Sequence, residues 1–99
     1  MSKIFKDQEE EFRAICKEIV TAKMSIQDWR DTESADEFQS RHFCGGFDAC
    51  EDAFCFSIRL PEQGEKWSPA ASYWFQISLE QAASFAAGGP WDFNLRVPD

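Results

Sequence analysis

The residues of this chain best suited to metal or nucleophilic chemistry are four cysteines and a single histidine. Three of the cysteines follow the histidine closely, in the run His42-x-Cys44-x5-Cys50-x4-Cys55. Zinc takes four N or S ligands in a tetrahedron, most often from close pairs such as Cys-x2-Cys. Neither cysteine gap here has that form, so the run predicts free thiols rather than a metal site. No cofactor is expected. Cys16 lies apart, on the apolar side of a helical pattern, where a free cysteine behaves as a small hydrophobe. Disulfides are not expected in a reducing compartment.

Nucleophilic catalysis fares no better. A reactive cysteine needs its thiolate stabilised by a nearby cation or a helix N-terminus. The acids of 48–52 do the opposite to Cys50 and Cys55. The chain holds no nucleophile elbow, phosphate-binding loop, dinucleotide fingerprint or His-Glu-x-x-His motif. Acidic neighbours such as Asp36/Glu37 and Glu51/Asp52 point in different directions from a helix or strand, so they do not imply a catalytic pair. The expectation is a protein that is not an enzyme.

Charge carries more information. The chain has 99 residues with 18 acids, 10 Lys or Arg, and a net charge of −8. Residues 25–52 contain eight of those acids (Asp28, Asp31, Glu33, Asp36, Glu37, Asp48, Glu51, Asp52) against Arg30 and Arg41, which puts −6 in this one stretch. The plain reading is a solvated face that keeps the protein soluble. The sharper reading is a patch complementary to a basic partner. Either way, direct binding of nucleic acid is disfavoured, because the phosphate backbone repels such a surface. Aromatics are the second unusual feature: ten Phe, four Trp and one Tyr make up 15% of the chain. Most Phe fall on apolar faces. Trp29, beside the acids, and Trp67, in a loop between Gly64 and Pro69, are less easily absorbed by a core. Tryptophan is enriched among interface anchors, so both join the candidate partner-binding set.

These residues need elements to position them. Phe12, Ile15, Cys16 and Ile19, with Val20 beside them, fall on one face of a helix over 7–24. Asp7 and Glu10 have the spacing of its N-terminal capping box. Residues 25–30 fit a continued helix, a short new one or a loop. Ser34 and Glu37 have capping-box spacing and predict one or two helical turns. From Arg41 the period becomes two. Phe43, Gly45 and Phe47 alternate with polar or small residues, as do Phe54, Phe56, Ile58 and Leu60, which predicts an antiparallel hairpin. Gly45-Gly46 signals a bulge or a close backbone approach. Residues 72–77 read as a third strand, covered on both faces and therefore central. Ser78 caps a short helix that Gly88-Gly89 ends. Residues 91–97 alternate and read as a final strand.

The expected fold is α+β in the order α-β-β-β-α-β: a long N-terminal helix packed on a mostly antiparallel four-stranded sheet, as a single domain over 1–99. No apolar run approaches the roughly 20 residues of a membrane span, and the charged N-terminus offers no signal-peptide core. A cytoplasmic protein that binds no membrane is expected. The function that fits is a small acidic antagonist of a basic protein. It would either inhibit a nuclease or defence complex at its nucleic-acid-binding surface, in the manner of anti-CRISPR and other nucleic-acid mimics, or act as an immunity protein against a toxin. The competing expectation is a non-catalytic structural or regulatory accessory domain, with a homodimer allowed through an exposed edge strand.

Overall fold

A computed structural model describes residues 6–32, 37–59 and 73–96. Helix α1 spans Lys6–Thr21, α2 spans Ile26–Thr32, and α3 spans Leu79–Ala86. Strands β1 (Phe38–Gln39), β2 (Phe43–Asp48), β3 (Ala53–Ile58) and β4 (Tyr73–Ile77) form one sheet in the order β1-β2-β3-β4, every pair antiparallel. The fold is α+β, with the long first helix against one face of a four-stranded sheet.

The β2–β3 hairpin follows the period-two pattern. Phe43 faces Ile58, Gly45 faces Phe56 and Phe47 faces Phe54. β4 extends the same face with Tyr73, Phe75 and Ile77. The ladder runs without a bulge. The glycine signal is a close approach instead: a Cβ on Gly45 would stand 2.0 Å from the Cys55 carbonyl oxygen.

Onto this face α1 lays Phe12, Ile15, Cys16 and Ile19, all buried. Phe12 is the hub. Its ring centroid lies 5.0 Å from that of Phe43, 4.9 Å from Phe56 and 5.1 Å from Phe75, and it also meets Phe85, Trp91 and Phe93. The pairs with Phe56, Phe75, Trp91 and Phe93 are edge-to-face and add to the area they bury. Val20 sits beside the stripe but is 41% exposed, just off the seam.

Polar groups fix the helix at three places. Gln8 is buried and its Nε2 donates to the Arg59 carbonyl at 2.7 Å. Arg13 donates to the carbonyls of Phe85 and Gly89, and its guanidinium lies 4.1 Å from the Phe85 ring centroid. A cation there also complements the C-terminal end of α3. Glu11 takes the Ser40 hydroxyl, the His42 N–H at 2.7 Å and the His42 ring Nδ1 at 2.8 Å, which ties α1 to the β1–β2 turn.

Helix α3 opens with the expected capping box: the Ser78 Oγ accepts from the Gln81 N–H at 3.1 Å, and the Gln81 Oε1 accepts from the Ser78 N–H at 2.8 Å. It ends at Ala86 with Ala87 as its C-cap, and Gly88 just beyond has a φ of 107° that suits glycine.

Several expectations are corrected. Asp7 lies within α1 rather than ahead of it as a cap. Of the alternatives open for residues 25–30, the structure has the short new helix, α2. The turns expected to open at Ser34 lie largely outside the described residues, and from Phe38 the chain is strand, Phe38–Gln39 pairing with β2. Residues 91–95 are extended but outside the sheet. Among the described residues of the expected 91–97 strand, which leave out Val97, only Arg96 bridges to it, donating to and accepting from Trp74 at 2.7 and 3.0 Å. Phe93 is buried while Asp92 and Asn94 are exposed, so the alternation is real. Alternation reports which side of an extended chain is buried; it does not report ladder partners. β4 is accordingly an outer strand of the described sheet rather than a central one. Its second aromatic face, Trp74, is stacked by the Arg96 guanidinium at 4.8 Å from the ring centroid.

Candidate functional site

The acid-rich stretch divides between two elements that meet. The first is α2. Ser25 caps it reciprocally: the Asp28 Oδ2 accepts from the Ser25 N–H at 2.9 Å, and the Ser25 Oγ accepts from the Asp28 N–H at 3.2 Å. That spacing, Ser25 to Asp28, is a capping signal in the sequence. The Ser25 backbone N–H, and after it the hydroxyl, hold the Asp28 carboxyl below its ordinary pKa, so it is ionised at neutral pH.

Trp29 turns inward. It is 2% exposed, with its ring edge-on to Phe54 at 5.1 Å and stacked with Phe47 at 6.5 Å. It is a core residue, not a projecting anchor. Asp28, Arg30 and Asp31, its neighbours in sequence, are exposed.

The second element is the β2–β3 turn. The Asp48 Oδ1 accepts from the Cys50 N–H at 2.9 Å, and its carbonyl accepts from the Glu51 N–H at 3.2 Å. Asp52 has φ 52°, in the left-handed region that aspartate tolerates better than most residues. The Arg30 Nε donates to the Asp52 Oδ1 at 2.6 Å and joins this turn to α2. Both side chains are about half exposed, so the pair adds little stability. Its consequence is positional. It brings α2, which carries Asp28 and Asp31, against the turn that carries Asp48, Glu51 and Asp52. Glu37 is exposed, ahead of β1. Glu33, Asp36 and Trp67 lie outside the described residues.

Between the two elements is a cavity of about 330 Å³ lined by Trp29, Arg30, Gly46, Phe47, Asp48, Ala49 and Cys55. Sequence reasoning missed it, because it arises where α2 meets β2 and not from any local pattern. Among the described residues, the Trp29 Nε1 is a buried side-chain polar atom without a hydrogen-bond partner.

The thiols are arranged as follows. Cys50 is exposed, and Cys44 and Cys55 are half-buried on the sheet face away from α1. Cys44 faces Ser57 and Cys55 faces Gly46, so the two are diagonal rather than directly opposed. Burial pushes the Cys55 thiol pKa up; Gln76 opposes this, while the charges of Asp48 and Glu51 add to it. Burial pushes Cys16 up to about 12. A raised pKa disfavours the nucleophilic thiolate. His42 is engaged with Glu11, and no three His, Cys, Asp or Glu side chains among the described residues are grouped to hold a metal ion. No helix of the described residues is long and apolar enough to cross a membrane.

Compared with known proteins, the chain matches no family model, no curated protein and no solved structure.

Proposed function

We propose that this chain is a small acidic antagonist that works by binding, not catalysis, and that its target is a basic protein surface used to hold nucleic acid. The target would be a nuclease, a nucleoprotein complex of a defence system or a cationic toxin, met in the cytoplasm. The observation that carries the reading is the Arg30–Asp52 contact, because it joins an acid-bearing helix to an acid-bearing turn from a separate part of the sequence. Carboxylates on a helix anchored by Trp29 and on a tight turn are presented with little freedom. Fixed charges lose less entropy on pairing with Arg or Lys than mobile ones do. They also raise the rate of encounter with a basic partner. Binding nucleic acid directly would be opposed by the same charges.

The test is affinity capture from the source cells with the tagged protein, followed by competition. The reading expects a captured protein with a basic nucleic-acid-binding surface, and displacement of its nucleic acid by the acidic chain. Recovery of the chain only with itself would sink the reading and leave a homo-oligomeric accessory domain.

A further inference from the structure

We infer that the cavity between α2 and β2 receives an arginine or lysine side chain of the basic partner. This rests on the binding reading above and adds the place where the partner's charge lodges. At about 330 Å³ the cavity is of a size for one long side chain rather than a folded segment. Its walls include Trp29, Phe47 and Ala49, which suit an aliphatic stem, and Gly46 adds no side chain that would fill it. Its polar group is the Asp48 carboxylate. One oxygen, Oδ1, accepts from the Cys50 N–H, while the other lies 3.8 Å from the Cys55 sulfur, a weak donor. Oδ2 thus keeps acceptor capacity for a strong one. The cation in the lining, Arg30, is paired with Asp52 and does not neutralise Asp48. Apolar walls around the Asp48 carboxylate complement a basic side chain, its stem against Trp29, Phe47 and Ala49 and its head on Asp48.

The experiment titrates the intact ¹⁵N-labelled protein with N-acetyl-arginine N-methylamide, its lysine counterpart and its citrulline counterpart. Citrulline keeps the shape of arginine and removes the charge. Saturable shifts of the Gly46, Phe47 and Asp48 amides and of the Trp29 indole N–H are expected with arginine and lysine but not with citrulline. Asp48→Asn keeps an acceptor for Cys50 and should weaken arginine binding about tenfold, the loss of one charge-assisted hydrogen bond. Glu51→Gln, off the cavity wall, should weaken it by no more than about twofold. Citrulline matching arginine would overturn the inference. So would movement of the Asp31 and Glu51 amides alone, but that result would leave the acidic surface standing. No movement anywhere would remove both.

Discussion

Glu11→Gln tests whether the α1 clamp on the β1–β2 turn has the energetic weight its geometry implies. The Glu11 carboxylate accepts from the Ser40 hydroxyl and from the His42 backbone N–H, and it meets the His42 Nδ1. Burial acts to raise its pKa, but these bonds from Ser40 and His42 outweigh it and hold the carboxyl below its ordinary value of 4.5. Glutamine keeps the shape and one acceptor, but turns an NH2 group toward donors. Replacing charged acceptance by neutral acceptance costs about 1 kcal/mol per bond. With three bonds and a side chain 20% exposed, the total is about 2 kcal/mol. For a domain of this size that lowers the Tm by roughly 8–16 °C. The pH dependence has a definite sign. A carboxyl whose folded pKa is depressed contributes stability above its unfolded pKa and loses it as pH falls through the folded one. The gap between wild type and Glu11→Gln should therefore be full at neutral pH and close as the pH drops below 4.5. Urea denaturation followed by tryptophan fluorescence across that range measures it. A variant within about 0.5 kcal/mol of wild type at neutral pH, or a gap that does not change with pH, would refute the reasoning.

Other outcomes follow from the same packing. Phe56→Ala should cost about 3–5 kcal/mol, because Phe56 is fully buried beneath Phe12 and Phe75. Ser57→Ala, on the other face of β3, should cost far less, and reversed denaturation midpoints would mean the register is wrong. Gly45→Ala should be at least as damaging as other overpacking changes, about 1–3 kcal/mol or more, since its methyl would meet the Cys55 carbonyl; a stable Gly45→Ala protein would contradict the close approach. Among the thiols, Cys50 should react first with a thiol reagent, and Cys16 only on unfolding, given its burial and a pKa of about 12. Mass spectrometry of labelled peptides reads the order.

Strongly periodic segments were legible in the sequence. The α1 stripe, the β2–β3 register and the Ser78 cap each follow from a local pattern that tertiary contacts reinforce. What escaped depends on contacts between distant parts. Phe38–Gln39 is too short to announce itself as a strand, and it exists because Phe38 and Gln39 find Gly45 and Cys44. The 91–95 segment has a strand's alternation without a ladder, and period alone cannot separate the two. Trp29 looked like a surface anchor because acids flank it. A seven-residue helix can expose Asp28 and Asp31 while burying the residue between its polar neighbours. The acids of the candidate site were legible from composition, but their convergence was not. It depends on Arg30 reaching Asp52, 22 positions away.

The central claim is that the acidic end binds a basic protein surface. It is tested most directly by association kinetics of the captured partner with wild type and with Asp31→Asn/Glu51→Gln, at low and at high salt. Both acids are exposed, so the fold should be retained. The account predicts slower association for the variant, a flatter salt dependence and a nearly unchanged dissociation rate, because the lost charges act by steering. An association rate and salt dependence identical to wild type would contradict it.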